Sequence, residues 1–234
     1  MNITEGQVDI FLKIKDNFLS KTKIPEKNNW KSKTNNDIWE NIITQIIVVG
    51  RASPGDEFKK SEKLKKETSY DILLNLTDEE IRERIHETLR LVNTRFVGDD
   101  AYKCAKTNAL VYNFSILKNF PDGPMGLLGM LSKFQGSNGD KKKIDYLKNN
   151  FRYLKDKGAR DFLMGLGLIE NAIALDSRVK GILGKCGIKI EGKTYDEIEM
   201  DVLDKICRPI GLSGIQFDRL IFQNYIEINK MDLK

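Results

Sequence analysis

Apolar residues recur along this chain with the period of an α-helix rather than with the alternation of a β-strand. The segment 38–50, IWENIITQIIVVG, is the clearest case, because Ile42, Ile43, Ile46 and Ile47 fall on one wide face. Alternation rarely continues for five residues, and no Asn-Gly or Asp-Gly turn separates two alternating runs. The pattern therefore predicts an all-α protein.

Capping motifs mark the starts of several of these helices. Thr77 opens the capping box TDEE and predicts a helix that runs to about Val92. Thr194 opens a second box, TYDE, and predicts a helix that runs to Cys207. Ser213 precedes GIQFDRLIFQNYIEI and predicts a last helix, because serine is a favoured N-cap.

The remaining pattern divides into helices and loops. Helical spacing predicts further helices over 101–117, 127–134 and 141–154. Clusters of Gly, Pro, Asn and Ser predict loops at 21–36, 51–56, 118–126 and 135–140. With about ten helices and no long linker, we expect two helical lobes that share one chain. We place them at approximately 57–155 for one lobe, and 1–56 plus 156–234 for the other.

Composition adds the broad class of protein. The chain has 234 residues, of which 40% are apolar and 31% charged, as is ordinary for a globular protein. No apolar run reaches the roughly 18 residues that a membrane span needs. The amphipathic N-terminus, MNITEGQVDIFLKIKD, lacks the apolar region of a signal peptide. We therefore expect a cytoplasmic protein, associated with the nucleoid in a prokaryote.

The positive charge is unevenly distributed. The formal net charge is +5, and lysines cluster at 59–66 and again at 141–157. Either cluster could be a solvated helix face or a surface that binds phosphate. The second cluster leads directly into the segment 155–176, and this favours phosphate contacts.

Histidine and cysteine usage argues against several kinds of site. Cys104, Cys186 and Cys207 lack the close spacing of a zinc or iron–sulfur site and suit buried thiols in a reducing compartment. His86, the single histidine, lies in the polar sequence DEEIRERIHETLRL and is expected at the surface. Ser-His or Cys-His catalysis and a histidine-bound metal are therefore not expected.

The segment 155–176, KDKGARDFLMGLGLIENAIALD, places a lysine at the start of one helix and an aspartate at the start of the next. RDFLMGLGL predicts a helix that ends near Gly165 or Gly167, and Asp176 precedes the helix SRVKGIL. Asp176 could simply be an N-cap, and Lys157 a solvated lysine. A helix N-terminus, however, disfavours the ammonium form, and a nucleophilic amine must be neutral.

These residues resemble a known family. KGARDFLMGLG, which begins at Lys157, and ALDSRV, which contains Asp176, are similar to the K-E-A-x-x-F-L-x-x-x-G and A-I-L-D-R-H segments of helix–hairpin–helix DNA glycosylases. The resemblance is closest to the archaeal–bacterial type of 8-oxoguanine DNA glycosylase/AP lyase. TRF at 94–96 with AYKCAK at 101–106 is similar to Y-R-F-Y-x-x-K-A. FDRLIF at 217–222 is similar to L-D-x-x-L-W-Y, and the chain ends on lysine as the family does. The resemblance covers roughly residues 38–234.

The chain departs from the family just before the lysine. The family's hairpin reads G-I-G, whereas this chain has Tyr153-Leu154-Lys155. Those glycines let the backbone approach a phosphate, so part of that contact would pass to Lys155 and Arg152. The lysine-to-aspartate interval is also one residue longer than in the family. Lys155 therefore remains a rival to Lys157 as the nucleophile.

The resemblance implies a helix–hairpin–helix glycosylase fold of two helical lobes with the active site between them. It implies a base-excision repair enzyme that removes 8-oxoguanine from double-stranded DNA and also cleaves abasic sites, without a metal or cofactor. Lys157 would form a Schiff base, and the Asp176 carboxylate would stabilise positive charge at C1′. Residues that would contact DNA are Asp218, Phe222 and Lys234 for the base, and Arg152 and Lys155 for the backbone. We expect a monomer.

Two alternatives remain open from the sequence. The protein could be a related glycosylase for another damaged base, or one without lyase activity. It could also be a non-catalytic helix–hairpin–helix DNA-binding module. Such a module would use Arg152, Lys155 and Lys157 only on phosphates, with Asp176 as a helix cap.

Overall fold

The computed structural model describes residues 1–136 and 138–233. Within these residues all regular secondary structure is helical, which confirms the predicted all-α class. No helix in the described ranges is long and apolar enough to cross a membrane. The described α-helices are α1 (Glu5–Phe18), α2 (Asn35–Ile47), α3 (Ser53–Lys60), α4 (Glu62–Glu67), α5 (Tyr70–Leu73), α6 (Asp78–Leu91), α7 (Ala105–Lys118), α8 (Gly123–Ser132), α9 (Gly139–Asn150), α10 (Asp156–Gly165), α11 (Ser177–Lys185), α12 (Tyr195–Val202), α13 (Gly214–Gln223) and α14 (Tyr225–Lys230). The described residues also form short 3₁₀ turns at Leu19–Lys21 and Asn29–Ser32 and a π-helical turn at Leu203–Cys207.

Capping boxes start the helices where the sequence predicts them. Thr77 and Thr194 each accept the N–H three residues later, and the Glu at that position bonds back to the cap. Ser213 caps α13 in the same way. The last predicted helix is interrupted at Asn224, whose side-chain amide donates to the carbonyl of Leu220 at 2.9 Å. A side chain that bonds the backbone in this way competes with the helix.

Two predicted loops contain helix starts. α3 begins at Ser53 inside the predicted loop 51–56, and α8 begins at Gly123 inside the predicted loop 118–126. A proline occupies the first turn of each helix. The first-turn N–H has no partner within a helix, so a proline there costs little. These prolines favoured a loop prediction although they mark helix N-termini.

The chain forms two compact units. The terminal unit comprises Met1–Asn28 and the chain from Leu163 onward, and the middle unit is Asn29–Phe162. Residues 156–162 lie in the middle unit, although we expected them in the same lobe as the C-terminus. We also expected residues 29–56 to belong with the N-terminus. They belong to the middle unit because α2 packs on α3, α5, α7 and α8, all of which lie within it.

Aromatic contacts lie within the apolar core of each unit. In the terminal unit the rings of Phe11 and Phe217 are 5.6 Å apart within a large apolar cluster. In the middle unit the ring of Phe114 lies 5.3 Å from that of Trp39 and 5.2 Å from that of Tyr70. Each unit therefore has its own core on which polar side chains can be fixed.

His86 is buried, contrary to the prediction of a surface position. It is 6% exposed, and its Nδ1 lies 3.0 Å from Oγ1 of Thr107. The reason is that α6 packs against α7 along the face that also carries Ile81 and Ile85. Because α6 has many charged residues, its sequence did not indicate that His86 faces the core.

Candidate active site

An open cavity of about 540 Å³ in the middle unit contains both candidate nucleophiles. This volume lies within the usual range for pockets that bind small molecules, roughly 300–1,000 Å³. We call it the lysine pocket. The residues that line it are Gln45, Val48, Val49, Gly50, Tyr153, Lys155, Lys157 and Gly158. The pocket thus combines the end of α2 with the loop that leads into α10.

A buried lysine holds the α2 side of the lysine pocket. Lys106 is 1% exposed, and its Nζ donates to the carbonyl of Val49 at 2.7 Å and, more weakly, to that of Ile47 at 3.5 Å. Burial lowers the pKa of Lys106 below its usual value, because the charged form loses its hydration. Its amine satisfies carbonyls that the end of α2 would otherwise leave without partners.

Lys157 lies in the first turn of α10 and is 40% exposed. Its Nζ is 3.3 Å from Oδ2 of Asp161, one helical turn later. The side-chain amide of Gln45 donates to the same oxygen at 3.1 Å. Gln45 and Asp161 therefore place a hydrogen-bonded carboxylate beside the Lys157 amine.

Lys155 and Arg152 are both exposed, as the predicted contact with DNA would require. Lys155 also lines the lysine pocket. The guanidinium of Arg152 stacks on the ring of Tyr112, with its Cζ 4.0 Å from the ring centroid. This stacking orients the guanidinium at the surface.

Many other lysines of the second basic cluster are paired with acids on their own helix. In α9, Nζ of Lys141 lies 3.9 Å from Oδ2 of Asp145, and Nζ of Lys143 lies 3.3 Å from Oδ1 of Asp140. The exposed pair of Lys141 with Asp145 contributes about 0–1 kcal/mol, and both pairs reduce the local positive field. Lys155, within the described part of the chain, makes no such pair, whereas Lys157 pairs with Asp161 on its own helix.

Tyr153 has a backbone φ of 64°, the left-handed region that favours glycine. This is one of the positions where the resembling family has glycine. A non-glycine residue there carries a strain of about 1–3 kcal/mol and keeps its conformation only where its surroundings hold it. This turn therefore has a conformation that favours glycine but carries an aromatic side chain.

Asp176 is the N-cap of α11, one of the two interpretations that the sequence left open. Its Oδ1 accepts the N–H groups of Arg178 at 2.9 Å and Val179 at 3.0 Å. Its Oδ2 accepts no hydrogen bond among the described residues. The cap and the catalytic interpretations are therefore compatible, because they use different oxygens of one carboxylate.

The segment before Asp176, residues 172–176, is held by side chains from α12 and α13; we call it the strap. Three consecutive strap N–H groups, those of residues 173–175, each donate to a different side chain. The acceptors are Glu199 Oε1 at 2.7 Å, Asp218 Oδ1 at 2.8 Å and Tyr195 OH at 2.7 Å. Tyr195 also donates its hydroxyl to the carbonyl of Ile173 at 2.8 Å. The backbone that presents Asp176 is therefore fixed at successive residues.

The start of α13 approaches the strap closely at Gly214. A Cβ at this position would lie 2.6 Å from both the backbone N and O of Ala172. Any larger residue would push α13 away from the strap, and Asp218 with it. Glycine is therefore required here by the close approach rather than by flexibility.

The residues expected to recognise a base have different environments. Asp218 is 3% exposed, and its carboxylate accepts the N–H of Ala174 in the strap. Phe222 is 41% exposed, and the guanidinium of Arg178 lies 4.2 Å from its ring centroid. One face of Phe222 is thus covered by a cation. Lys234 lies outside the described residues.

Apart from Asp218, the sequence did not single out the residues that hold the candidate groups. Asp161 could have been found, since residues four apart on a helix are neighbours. Tyr195 and Glu199 also stand four apart, on α12, but their partners in the strap are twenty or more residues away. Nothing in the local pattern indicates a contact of that kind.

The fold is shared with solved 8-oxoguanine DNA glycosylases. A crystal structure of the Methanocaldococcus jannaschii 8-oxoguanine DNA glycosylase has a TM-score of 0.64 and 19% identity, over 96% of this chain and 94% of that chain. The structure of the 8-oxoguanine glycosylase/lyase of the same organism, in complex with a 15mer DNA containing 8-oxoguanine, has a TM-score of 0.63 and 18% identity, over 95% and 97%. The 8-oxoguanine DNA glycosylase of Thermotoga maritima has a TM-score of 0.61 and 18% identity, over 92% of each chain.

Neither a family model nor a curated protein sequence matches the chain. At 18–19% identity the structural likeness establishes the fold alone. It confirms the expected helix–hairpin–helix glycosylase fold over nearly the whole chain.

Proposed function

We propose that this protein is a DNA glycosylase with AP lyase activity that removes 8-oxoguanine from double-stranded DNA. The observation that carries the proposal is Lys157, an amine in the first turn of a helix that opens into a pocket of ligand size. The fold, shared with 8-oxoguanine DNA glycosylases, supports this reading. A paired base cannot reach a pocket, so the damaged nucleotide would be flipped out of the helix.

Lys157 is the proposed nucleophile. As a neutral amine it attacks C1′ of the deoxyribose, the bond from C1′ to the base breaks, and the base leaves with its electron pair and a proton. Opening of the sugar ring gives a Schiff base between Nζ and C1′. Loss of a proton from C2′ then expels the 3′ phosphate and nicks the strand. Water hydrolyses the remaining Schiff base and restores the lysine.

Asp176 is the proposed carboxylate for the glycosidic step. Positive charge develops at C1′ as the base leaves, and a fixed negative charge stabilises it. Oδ1 is used by the helix cap, and Oδ2 is the oxygen assigned to this role. The strap supports the assignment, because a carboxylate on a fixed backbone needs little reorganisation when the charge appears.

We assign DNA contacts to the remaining candidates. Arg152 and Lys155 would bind backbone phosphates. Phe222 with the stacked Arg178 would contact the base, and Lys234 stays a predicted partner in base recognition. Asp218 would act through the strap by holding Ala174.

The test is incubation with an end-labelled duplex that contains 8-oxoguanine, with the undamaged duplex as control. We expect strand nicking without alkali and a covalent protein–DNA adduct in borohydride. Nicking only after alkali would mean a glycosylase without lyase activity. Salt-sensitive binding with neither product would support the non-catalytic DNA-binding module instead.

A further inference from the structure

The loop around Tyr153 is held so that a strained residue can persist. Asn113 is fully buried, and its side chain accepts the N–H of Arg152 at 2.8 Å and donates to the carbonyl of the same residue at 3.0 Å. Phe151 and Leu154 are anchored in the core at 2% and 0% exposure. Tyr153 itself is half-buried and lines the lysine pocket.

We propose that Tyr153 is a specificity-determining residue whose ring stacks on the flipped base in the lysine pocket. This inference rests on the proposed function. Glycine would adopt a φ of 64° without strain, so what the tyrosine adds to this turn is its side chain. The surroundings hold the strained turn, and Tyr153 belongs to the wall of the pocket.

The chemistry of the pocket indicates the base rather than the phosphate or the sugar as the partner of this ring. Phosphates are matched by the charge of Lys155, whereas the Lys157 amine in the same pocket is assigned to C1′. A deoxyribose has no flat face, whereas every nucleobase has one, and aromatic side chains stack on it. Val48 and Val49 supply further apolar wall on the α2 side of the pocket.

The experiment compares three variants by a readout that needs no catalysis. Binding is measured to a duplex with 2′-fluoro-arabino-8-oxoguanine, which resists cleavage, and to the matched undamaged duplex. Tyr153→Ala and Tyr153→Gly should lower the preference for the lesion about tenfold, because each loses one stacking contact. Tyr153→Phe keeps the ring and should keep the preference. Trapping at a ready-made abasic site should persist in all three, since no base is present.

The Tyr153→Gly variant also shows whether a loss of lesion preference could come from misfolding. It relieves the strain of the turn, so its melting temperature should equal or exceed that of the parent protein. Asp122→Gly is a matched control, because Asp122 has a φ of 62° and does not line the pocket. It should leave the lesion preference unchanged.

Each outcome decides the inference. Retained lesion preference in Tyr153→Ala and Tyr153→Gly overturns it, as does a parent protein without any preference. Equal losses on lesion binding and abasic-site trapping also overturn it. A parent protein that prefers the lesion but forms no adduct refutes the lyase chemistry, while the variants still decide the role of Tyr153.

Discussion

The lysine pocket and the strap hold their candidate groups in opposite ways. In the pocket, Lys157 extends on a flexible stem into open space and rests 3.3 Å from Asp161. In the strap, Asp176 has a short side chain on a backbone that side chains bond at three successive residues. A nucleophile must move to form and release a bond, whereas a carboxylate that stabilises charge acts best when it is fixed. The difference in construction therefore matches the difference in proposed role.

Removal of the Lys157 amine from the lysine pocket has the largest predicted effect. Lys157→Ala should abolish both borohydride trapping and strand nicking, because no other proposed group forms the Schiff base. Lys157→Gln should do the same while it keeps DNA binding. The measurement is adduct yield on denaturing gels with labelled 8-oxoguanine duplex.

Lys155→Ala is the matched control, since Lys155 lines the same pocket and is the rival nucleophile. We expect this variant to form the adduct, to bind DNA more weakly and to lower the salt slope of binding by about one unit. If the adduct persists in Lys157→Ala and disappears in Lys155→Ala, the two roles are reversed.

Asp176→Asn tests whether the Asp176 carboxylate, which the strap fixes, takes part in base excision. Asparagine caps helices as well as aspartate does, so we expect the unfolding free energy to change by less than about 1 kcal/mol. Base excision should fall by about 100-fold or more, because the charge of Oδ2 is lost. Single-turnover excision and chemical denaturation measure the two effects separately. A fully active, stable variant would leave Asp176 as a helix cap only.

Sequence patterns revealed much of this fold because its helices carry local signals. The capping boxes at Thr77 and Thr194 and the cap at Asp176 were predicted, since their partners lie two or three residues away. The end of α10 was also predicted. Gly167 has a φ of 65°, and its N–H bonds the carbonyl of Met164 at 3.0 Å, as expected for a glycine that ends a helix.

The candidate site was less predictable because its supporting contacts are long-range. Periodicity indicates that Lys106 lies on a helix, but not that its amine reaches the end of α2. The strap partner Glu199 looks like one acid among several on α12. Asp218 was expected to recognise a base because of the family resemblance, and its bond to Ala174 became visible only in the structure.

Asp218 offers a smaller and more specific test of the strap. Asp218→Ala removes the acceptor of the Ala174 N–H and leaves that buried donor without this partner, which should destabilise the protein by about 1–3 kcal/mol. Asp218→Asn keeps an acceptor oxygen and should lose less. Excision should follow the same order as stability, since Asp218 acts through the strap. If Asp218→Asn is fully stable but loses only lesion recognition, direct base contact is the better explanation.

Lys106 is the buried charge that supports the pocket, as Asp218 supports the strap, and it gives the smallest predicted effect. Burial lowers the pKa of Lys106 in the folded protein below its usual value of 10.5. Between these two pKa values the unfolded chain binds a proton that the folded protein does not. The unfolding free energy should therefore rise as pH increases through this window towards 10.5.

The slope of the unfolding free energy against pH that Lys106 causes cannot exceed about 1.4 kcal/mol per pH unit, the limit for one proton. It is measured by urea unfolding at several alkaline pH values, as the difference between the parent protein and Lys106→Met. Groups that titrate equally in both proteins cancel in this difference. A difference that falls with rising pH would show that the bonds to the carbonyls of Val49 and Ile47 stabilise the ammonium more than burial destabilises it. In that case the pocket would depend on Lys106 in its charged form.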